Sequence, residues 1–353
     1  MAKTSTTTKK RATKKTSKSP TSRKPAQPKK TVSEETAVVQ TTLSPVPDVQ
    51  TVQKAVQNGK KNDPETALVQ KRRVVNDLFQ RGLAAHQAGQ IDDAIRLYSA
   101  ALRQNPDQPD VWNNLGVALR RSKRFAAALI AYRRAADLRP ENAGLWSNMG
   151  NCLREMMRFD EALAAHKKAI ELDDTIKSHT FNTGLVYRDL NKFSEALGYF
   201  NRALAMDPEY VDANWDSALA HLALGDYAKG WAGYETRRQL ADNPIRPLDS
   251  APEWDGKGDL RGKRLLLRAE QGFGDMIQFA RFIPLVAKRA AHIIVECRKE
   301  LMPIMRTVSG VGAVVEKGRA LPEFDLHVPL LSLPHVLGIG EADLKKISAD
   351  PYL

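Results

Sequence analysis

The sequence predicts three successive parts: a disordered basic tail over residues 1–62, an all-α superhelix of stacked helix pairs over residues 63–240, and a small α/β unit over residues 263–353. Three observations predict these parts. The tail has no aromatic residue, an alanine recurs every 34 residues through the middle, and apolar runs alternate with amphipathic segments after the linker. That linker, residues 241–262, is rich in Pro and Gly.

The charge of the chain belongs mostly to its tail. The net charge is +13, but residues 1–30 carry eleven Lys or Arg and no acidic residue, while the remaining chain carries 43 basic and 41 acidic residues. A segment of Lys, Thr, Ser and Pro buries too little apolar surface to offset the entropy of ordering it, so we expect it to be disordered. It is either a solvated arm, or a weak, non-specific attachment of residues 1–30 to nucleic acid or an anionic membrane surface.

Composition also indicates where the protein works. Apolar residues make up 42% of the chain, which is ample for a core. No apolar run follows the lysines to form a secretory signal, and none approaches the roughly 20 residues that a membrane span needs. The two cysteines, Cys152 and Cys297, lie in a predicted helix and a predicted strand, as reduced packing residues do. We therefore expect a cytoplasmic protein without a transmembrane segment or a metal site.

Several positions of the 34-residue period agree with one another. Glycines precede the first alanine series by twelve residues, aromatic residues follow it by four with His166 as the exception, and prolines close three of the units. Small residues permit close helix contact, aromatic residues fill the space beside them, and proline ends a helix. The residues are Ala94, Ala128, Ala162 and Ala196; Ala101, Ala135, Ala169 and Ala203; Gly82, Gly116, Gly150 and Gly184; Tyr98, Tyr132 and Phe200; and Pro106, Pro140 and Pro208.

This pattern is identified as that of the tetratricopeptide-repeat family, and Trp112 and Trp146 occupy the opening tryptophan position of the family. Four units run from about residue 75 to residue 210. A fifth, over residues 211–240, departs from the pattern, as a terminal repeat does when one face has no neighbouring repeat. We expect another part of the chain to pack on it.

Two polar series are predicted to line the inner, concave wall of the superhelix. One is asparagine and the other arginine: Asn114, Asn148 and Asn182, then Arg120, Arg154 and Arg188. The first resembles the asparagine ladder of the eukaryotic O-linked N-acetylglucosamine transferase, which grips an extended peptide by its backbone; alternatively, Asn is merely tolerated there. The arginines would favour acidic side chains or a C-terminal carboxylate, or else form salt bridges within their repeats.

The last part reads as strands and helices in alternation, which predicts a parallel sheet. Strands are expected over residues 265–267, 293–295, 311–315 and 324–330, with helices over residues 275–289 and 300–307. After the first strand, Gly272 and Gly274 let backbone amides approach a phosphate at a helix N-terminus. Asp275 follows them, either as the N-cap of that helix or as a functional carboxylate.

A resemblance gives this turn a possible role. The segments WDGKGDLRGKRLLLRAEQGFGDMIQFARFIP, LPEFDLHVPLLSLP and GDYAKGWAGYETR are similar to a bacterial family that joins tetratricopeptide repeats to a glycosyltransferase-like domain. That domain resembles lipopolysaccharide heptosyltransferases of the GT-B type, which have two Rossmann-like halves. The resemblance implies a half-Rossmann unit here and implies that Asp275 is a general base on an acceptor hydroxyl. Gln278 and His327 are weaker candidates for acceptor contacts, and His327 is equally well explained as a structural residue.

The sequence departs from that family at its end. The chain stops about 90 residues into the domain, before the half that supplies the nucleotide-sugar site in the resembling transferases. We therefore expect no cofactor in this chain, a nucleotide sugar as donor only if the missing half is supplied, and no catalysis by the chain alone. The leading hypothesis is a protein–protein interaction module that binds an extended peptide or a partner helix. The alternative is a glycosyltransferase, or its acceptor-binding part, acting on hydroxyls of proteins or surface sugars.

Overall fold

The computed structural model describes residues 64–240, 248, 250–270, 272–347 and 352–353. The predicted disordered tail lies outside the described residues, as do residues 241–247 of the predicted linker.

Ten α-helices, paired as five repeats, form the helical part of the described chain. They are α1 (Pro64–Gln87), α2 (Ile91–Gln104), α3 (Pro109–Arg121), α4 (Phe125–Leu138), α5 (Ala143–Glu155), α6 (Phe159–Leu172), α7 (Lys177–Asp189), α8 (Phe193–Met206), α9 (Val211–Ala223) and α10 (Tyr227–Tyr234). The prediction of a helical tetratricopeptide-type superhelix is confirmed. The fifth repeat is shorter than the others, and a 3₁₀ turn, Glu235–Gln239, follows it.

In the four regular repeats, the two helices of each pair approach at the predicted glycine. A Cβ atom placed on Gly82 or Gly116 would lie 2.5 or 2.6 Å from a ring carbon of the tyrosine sixteen residues later in the chain. Gly150 meets the ring of His166 in the same way, at 2.7 Å. These rings are fully buried, so they cannot move aside, and the periodic glycine is required by packing rather than by backbone conformation.

The turn between the two helices of each pair uses the left-handed backbone region at a position that also recurs every 34 residues. Gly89 and Gly225 take it in the first and fifth repeats, with φ of 75° and 81°. In the three middle repeats the same position holds Lys123, Met157 and Asn191, with φ of 61°, 60° and 59°. Residues with a Cβ atom are strained there, and asparagine is the least strained of the three.

Met157→Gly is therefore expected to stabilise the repeats. Met157 is 75% exposed, so its side chain contributes little packing. Left-handed backbone costs about 1–2 kcal/mol for a residue with a Cβ atom, and the entropy that glycine gains in the unfolded chain takes back up to about 1 kcal/mol. Urea unfolding should show a gain of about 0.5 kcal/mol, with a smaller gain for Asn191→Gly. Loss of stability in both variants would contradict this account.

The C-terminal unit is a four-stranded, fully parallel sheet with the strand order β3-β2-β1-β4. Its strands are β1 (Arg264–Arg268), β2 (His292–Cys297), β3 (Ala313–Glu316) and β4 (Leu326–Pro329). Short helices connect or follow them: α11 (Phe273–Ala280), α12 (Ile283–Ala287), α13 (Met302–Met305), α14 (Leu333–Val336) and α15 (Glu341–Ile347). The parallel sheet is confirmed; its assignment as a half-Rossmann unit stays a prediction.

The single helix expected over residues 275–289 is instead two helices. The first ends at Ala280, four residues before Pro284, and the second has Pro284 in its first turn. Proline lacks an N–H, and its ring clashes with the carbonyl four residues earlier, so a continuous helix cannot pass through Pro284. The prediction missed this break because the apolar spacing continues across it.

The sheet unit packs against the terminal repeat, as expected from the departure of that repeat from the pattern. Tyr234 at the end of α10 stacks on Phe279 of α11, with ring centroids 6.1 Å apart. Trp231, one turn earlier in α10, meets the same ring edge-on at 6.0 Å. Aromatic pairs of this geometry add to the burial of apolar surface, so the junction is a packed interface.

Candidate functional site

Two of the three residues of the predicted asparagine ladder, Asn148 and Asn182, connect successive repeats. Asn114 is fully buried, and its amide donates to the backbone carbonyl of Asp110 at 2.9 Å. Asn148 donates to Asn113 Oδ1 at 3.0 Å. Asn182 donates in the same way to Ser147 Oγ at 3.4 Å, across the next junction. Asn148 and Asn182 are half-buried, so they keep surface that a ligand can reach, whereas Asn114 does not.

The predicted arginine series is held in ion pairs. Arg120 donates to Glu155 of the following repeat at 2.8 Å, and Arg154 lies 3.7 Å from Asp189, again one repeat further on. The salt bridges proposed within repeats are therefore, for these two arginines, salt bridges between repeats. Both arginine side chains are almost fully buried, at 5% and 7% exposed. This arrangement neutralises the arginines and ties the first helices together.

Arg188 is the most open of the three. Its guanidinium pairs with Asp189 beside it and with Asp216 of the fifth repeat, and 30% of the side chain remains exposed. Burial raises the pKa of Asp216, and the charge of Arg188 opposes that rise. We use the term open wall for Asn148, Asn182 and Arg188, the predicted groove residues that keep solvent-accessible surface. The open wall belongs to the third and fourth repeats.

His166, the exception in the aromatic series, is a buried polar residue in α6. Its side chain is fully buried, and neither ring nitrogen has a hydrogen-bond partner within the described residues. Burial lowers the pKa of His166 to about 3, with smaller contributions from Arg154 and His179. The imidazole is therefore neutral, and desolvation of its nitrogens costs stability.

His166→Phe should stabilise the protein, because Phe200 already occupies the equivalent place in the fourth repeat. Removing unsatisfied polar atoms is expected to add roughly 1 kcal/mol at pH 7. In the unfolded chain His166 titrates near its ordinary value of 6.5. Below pH 6.5 the unfolded state thus binds one more proton than the folded state, and stability falls by up to about 1.4 kcal/mol per pH unit.

The difference between His166→Phe and the parent should therefore widen as the pH falls. Urea unfolding at pH 7 and pH 5 measures it. His179, whose pKa burial also lowers, is present in both proteins, so only its interaction with His166 differs between them. A difference that is the same at both pH values would contradict the assigned pKa.

In the sheet unit, the glycine turn leads into α11 as predicted. Gly272 is the N-cap, with φ of 87°, and Asp275 is the third residue of the helix, so Asp275 is not itself the N-cap. The Asp275 carboxylate lies over Gly272, where an added Cβ atom would be 2.5 Å from Oδ2. Partial burial raises the pKa of Asp275. Gly274 and Gln278 are exposed on the same helix.

His327 does not join this group. It is paired with Leu266 in the sheet register, whereas Leu265 and Leu267 share a hydrophobic cluster with Met276 and Phe279 of α11. Successive strand residues point to opposite faces, so His327 and Asp275 lie on opposite sides of the sheet. His327 is buried, and its backbone bonds to Pro252 and Trp254. Burial lowers its pKa, and this geometry favours the structural interpretation.

Sequence reasoning missed a buried polar cluster at the junction, centred on Arg237. The guanidinium donates to both oxygens of Glu270, at 2.8 and 2.6 Å, and to Ser332 Oγ at 2.7 Å. It also donates to Glu235 at 2.7 Å. Arg237 and Glu270 are each 6% exposed. Burial alone would lower the pKa of Arg237, but the hydrogen bonds and charge of Glu270 outweigh burial and raise it.

The position of this cluster in the sheet is informative. Glu270 follows β1, and Ser332 follows β4, so Arg237 enters the crevice at the carboxyl ends of two neighbouring strands. In open parallel sheets this edge, where successive connections run in opposite directions, is where ligands bind. Here a side chain from the end of the repeats fills it. No local sequence signal marks the cluster, because its members are up to 97 residues apart.

Comparisons with known proteins agree with the helical part. Two family models described as tetratricopeptide repeat match residues 79–143 and residues 141–209. Residues 79–209 are tetratricopeptide repeats. The matched tetratricopeptide repeats coincide with the four regular units predicted from the 34-residue period.

A curated relative and several solved structures are also similar to the chain. Protein FlbA of Caulobacter vibrioides is 45% identical over 65 residues, which are 18% of this chain and 11% of that protein. The chain thus spans only about a tenth of that relative. Structural matches include MamA (19% identity, 45% of this chain and 92% of that chain, TM-score 0.41), PilF of Pseudomonas aeruginosa (23%, 48%, 77%, 0.44) and YrrB (16%, 54%, 92%, 0.39).

Within the part of the chain that the structure describes, no helix combines the length and apolar character needed to cross a bilayer. The cytoplasmic location stays a prediction.

Proposed function

We propose that this chain is a protein–protein interaction module whose tetratricopeptide repeats bind an extended peptide along the open wall. The observation that carries the proposal is the half-buried amide pair, Asn148 and Asn182, at equivalent positions of successive repeats. A carboxamide has two N–H donors and an acceptor oxygen, and each amide uses one donor on the preceding repeat. The remaining donor and the oxygen suit the N–H and C=O groups of a peptide backbone.

The charge of the wall modifies the expected selectivity. Arg120 and Arg154 are paired with carboxylates and almost fully buried. Arg188 keeps accessible surface but is also paired. A preference for acidic peptides should therefore be weaker than the arginine series alone suggests. Backbone contacts, rather than charge, are proposed to provide most of the affinity.

The sheet unit is proposed to cap the repeats. Its aromatic contacts and the Arg237 cluster cover the end of the fifth repeat, which would otherwise expose a hydrophobic face. The glycosyltransferase alternative gains no support from the comparisons, since both family-model matches lie within residues 79–209. The role of Asp275 as a base, the nucleotide-sugar donor, and attachment through residues 1–30 stay untested predictions.

The double variant Asn148→Ala/Asn182→Ala tests the open wall. Peptides enriched on the full chain from a displayed library of random 12-residue sequences serve as probes, with affinity measured by fluorescence anisotropy. Each lost hydrogen bond contributes about 0.5–1.5 kcal/mol, so affinity should fall roughly tenfold. The control Gln104→Ala/Asn201→Ala removes two exposed amides from second helices and should leave affinity within about twofold.

Circular dichroism must show both variants folded at the temperature of the binding assay, because Asn113 Oδ1 loses its partner when Asn148 is replaced. If no enriched peptide loses affinity with the open-wall variant, the proposed groove is wrong.

A further inference from the structure

The junction between the third and fourth repeats differs from the other repeat junctions of the described chain. At three junctions a side chain at the start of one repeat donates to the carbonyl of the proline that closes the previous repeat: Trp112 to Pro106 at 2.6 Å, Trp146 to Pro140 at 2.8 Å, and Asn214 to Pro208 at 2.9 Å. At the remaining junction these two positions hold Thr180 and Asp174. Thr180 is buried, and its hydroxyl has no hydrogen-bond partner within the described residues.

Two tyrosines are also specific to this junction. Tyr187 in α7 stands where the two preceding repeats have leucine, and Tyr199 in α8 stands where they have alanine. The two rings stack with centroids 5.3 Å apart and an interplanar angle of 17°. Burial, together with the neighbouring Tyr187, raises the pKa of Tyr199. This junction thus carries two aromatic side chains at positions where the two preceding repeats have smaller residues.

A cavity of about 780 Å³ opens at this junction, between α6, α7 and α8. Three of the residues that distinguish the junction line it, namely Asp174, Tyr187 and Tyr199, and Thr183 of α7 lies beside them. Aliphatic surface comes from Leu163 and Ile170 of α6. The volume of the cavity lies within the range of ligand pockets, about 300–1,000 Å³. We call this cavity the α6–α8 groove; it is lined mainly by second helices and contains none of the open-wall residues.

The charges around the α6–α8 groove are separated. Lys167 and Arg202 both lie close enough to Tyr199 to influence its pKa, and neither makes an ion pair within the described residues. Glu171, Asp173 and Asp174 line the same groove where α6 ends. A polyanion such as nucleic acid would meet these three carboxylates, so the lining disfavours it. A ligand that combines an apolar group with a single carboxylate is complementary to the tyrosines and the two cations.

We propose that the α6–α8 groove is a second binding site, which takes a short peptide segment of a partner protein with an apolar anchor beside an acidic residue. The anchor packs over Tyr187 and Tyr199, and the carboxylate binds Lys167 and Arg202. A basic residue further along the peptide would face Asp174. This site is independent of the open wall, because it rests on a different face and on different residues.

Two variants test the α6–α8 groove. Ala164 is exposed and lines it, so Ala164→Trp fills the groove without altering the buried core. Lys167→Glu/Arg202→Glu reverses the two cations. The matched control is Arg134→Glu, an exposed arginine at the repeat position of Arg202, two repeats earlier and outside the groove. The probes are random 12-residue peptides displayed on phage and enriched on the full chain, with those retained by Ala164→Trp subtracted.

The peptides that remain after this subtraction are expected to carry an aliphatic or aromatic residue next to Asp or Glu. They should lose at least tenfold affinity for both groove variants and less than twofold for Arg134→Glu and for Asn148→Ala/Asn182→Ala. If Ala164→Trp fails to fold, every enriched peptide is measured directly against Lys167→Glu/Arg202→Glu, Arg134→Glu and Asn148→Ala/Asn182→Ala, without subtraction. Three outcomes would overturn the proposal: no peptide survives subtraction, the survivors bind Lys167→Glu/Arg202→Glu as tightly as the parent, or they depend on the open wall instead.

Discussion

Replacing Arg237 by alanine is expected to lower the free energy of unfolding of the sheet unit by about 3–5 kcal/mol, the usual cost of removing one partner from a buried ion pair. Glu270 is 6% exposed, and both of its oxygens accept from Arg237. Without the guanidinium, its carboxylate stays buried without that compensating charge. Ser332 loses a donor at the same time. The effect should be the largest of any single substitution considered for this chain.

Arg238→Ala is a closely matched control. Arg238 is the next residue, and it also makes a two-pronged ion pair, with Glu253 at 2.9 and 2.7 Å. Both side chains of that pair are 36% exposed, so water replaces the interaction when it is broken. Exposed pairs contribute about 0–1 kcal/mol. The contrast between the neighbouring arginines therefore compares a buried ion pair with an exposed one, although Arg238 also lies 3.7 Å from Glu235.

Hydrogen exchange of the β1–β4 amides, measured with increasing urea, resolves the sheet unit from the repeats. In Arg237→Ala the strand amides should exchange through a less stable opening, while the amides of α3 to α6 change little. Arg237→Ala/Glu270→Leu removes both charges and should recover part of the loss, because no buried carboxylate remains at Glu270. A loss in Arg237→Ala no larger than in Arg238→Ala would show that the cluster does not hold the junction together.

The repeats were predictable because the glycine, aromatic and alanine positions that define them act within one 34-residue unit. The glycine, the aromatic ring and the alanines lie within one helix pair, so their regular spacing in the sequence is enough to predict how they pack. The polar wall is different. Asn148 and Arg120 bond to residues 35 positions away in a neighbouring repeat, and only the geometry of stacking determines whether their side chains face a ligand or each other.

The sheet unit was also predictable in its elements but not in the placement of its side chains. Its four strands were visible as apolar runs, but His327 and Asp275 were grouped without knowledge of the register that puts them on opposite faces. The Arg237 cluster joins segments far apart in the chain, and its residue types are common on any surface. Burial, not identity, makes these residues important, and burial is a property of the fold. The α6–α8 groove was predictable only in part. The positions at which its residues depart from the repeat pattern are visible in the 34-residue period, but the volume of the cavity is not.

The substitution Gly116→Ala provides the second large expected effect, a net loss of about 2 kcal/mol. The new Cβ atom would lie 2.6 Å from a ring carbon of Tyr132, far inside contact distance, and that ring is fully buried. Overpacking of a filled core costs about 1–3 kcal/mol, from which the better helix propensity of alanine subtracts up to about 1 kcal/mol.

The same substitution at Gly198 should have the opposite sign. A Cβ atom at Gly198, in the exposed middle of α8, meets no atom within 4 Å, so only the propensity gain of about 0.5–1 kcal/mol remains. Urea unfolding of the two variants side by side separates the steric effect from propensity. Tyr132→Leu removes the ring carbons that clash, so Gly116→Ala should cost at least about 1 kcal/mol less in that background. Equal costs in both backgrounds would place the strain elsewhere, and the account of the periodic glycine as a ring-contact position would fail with it.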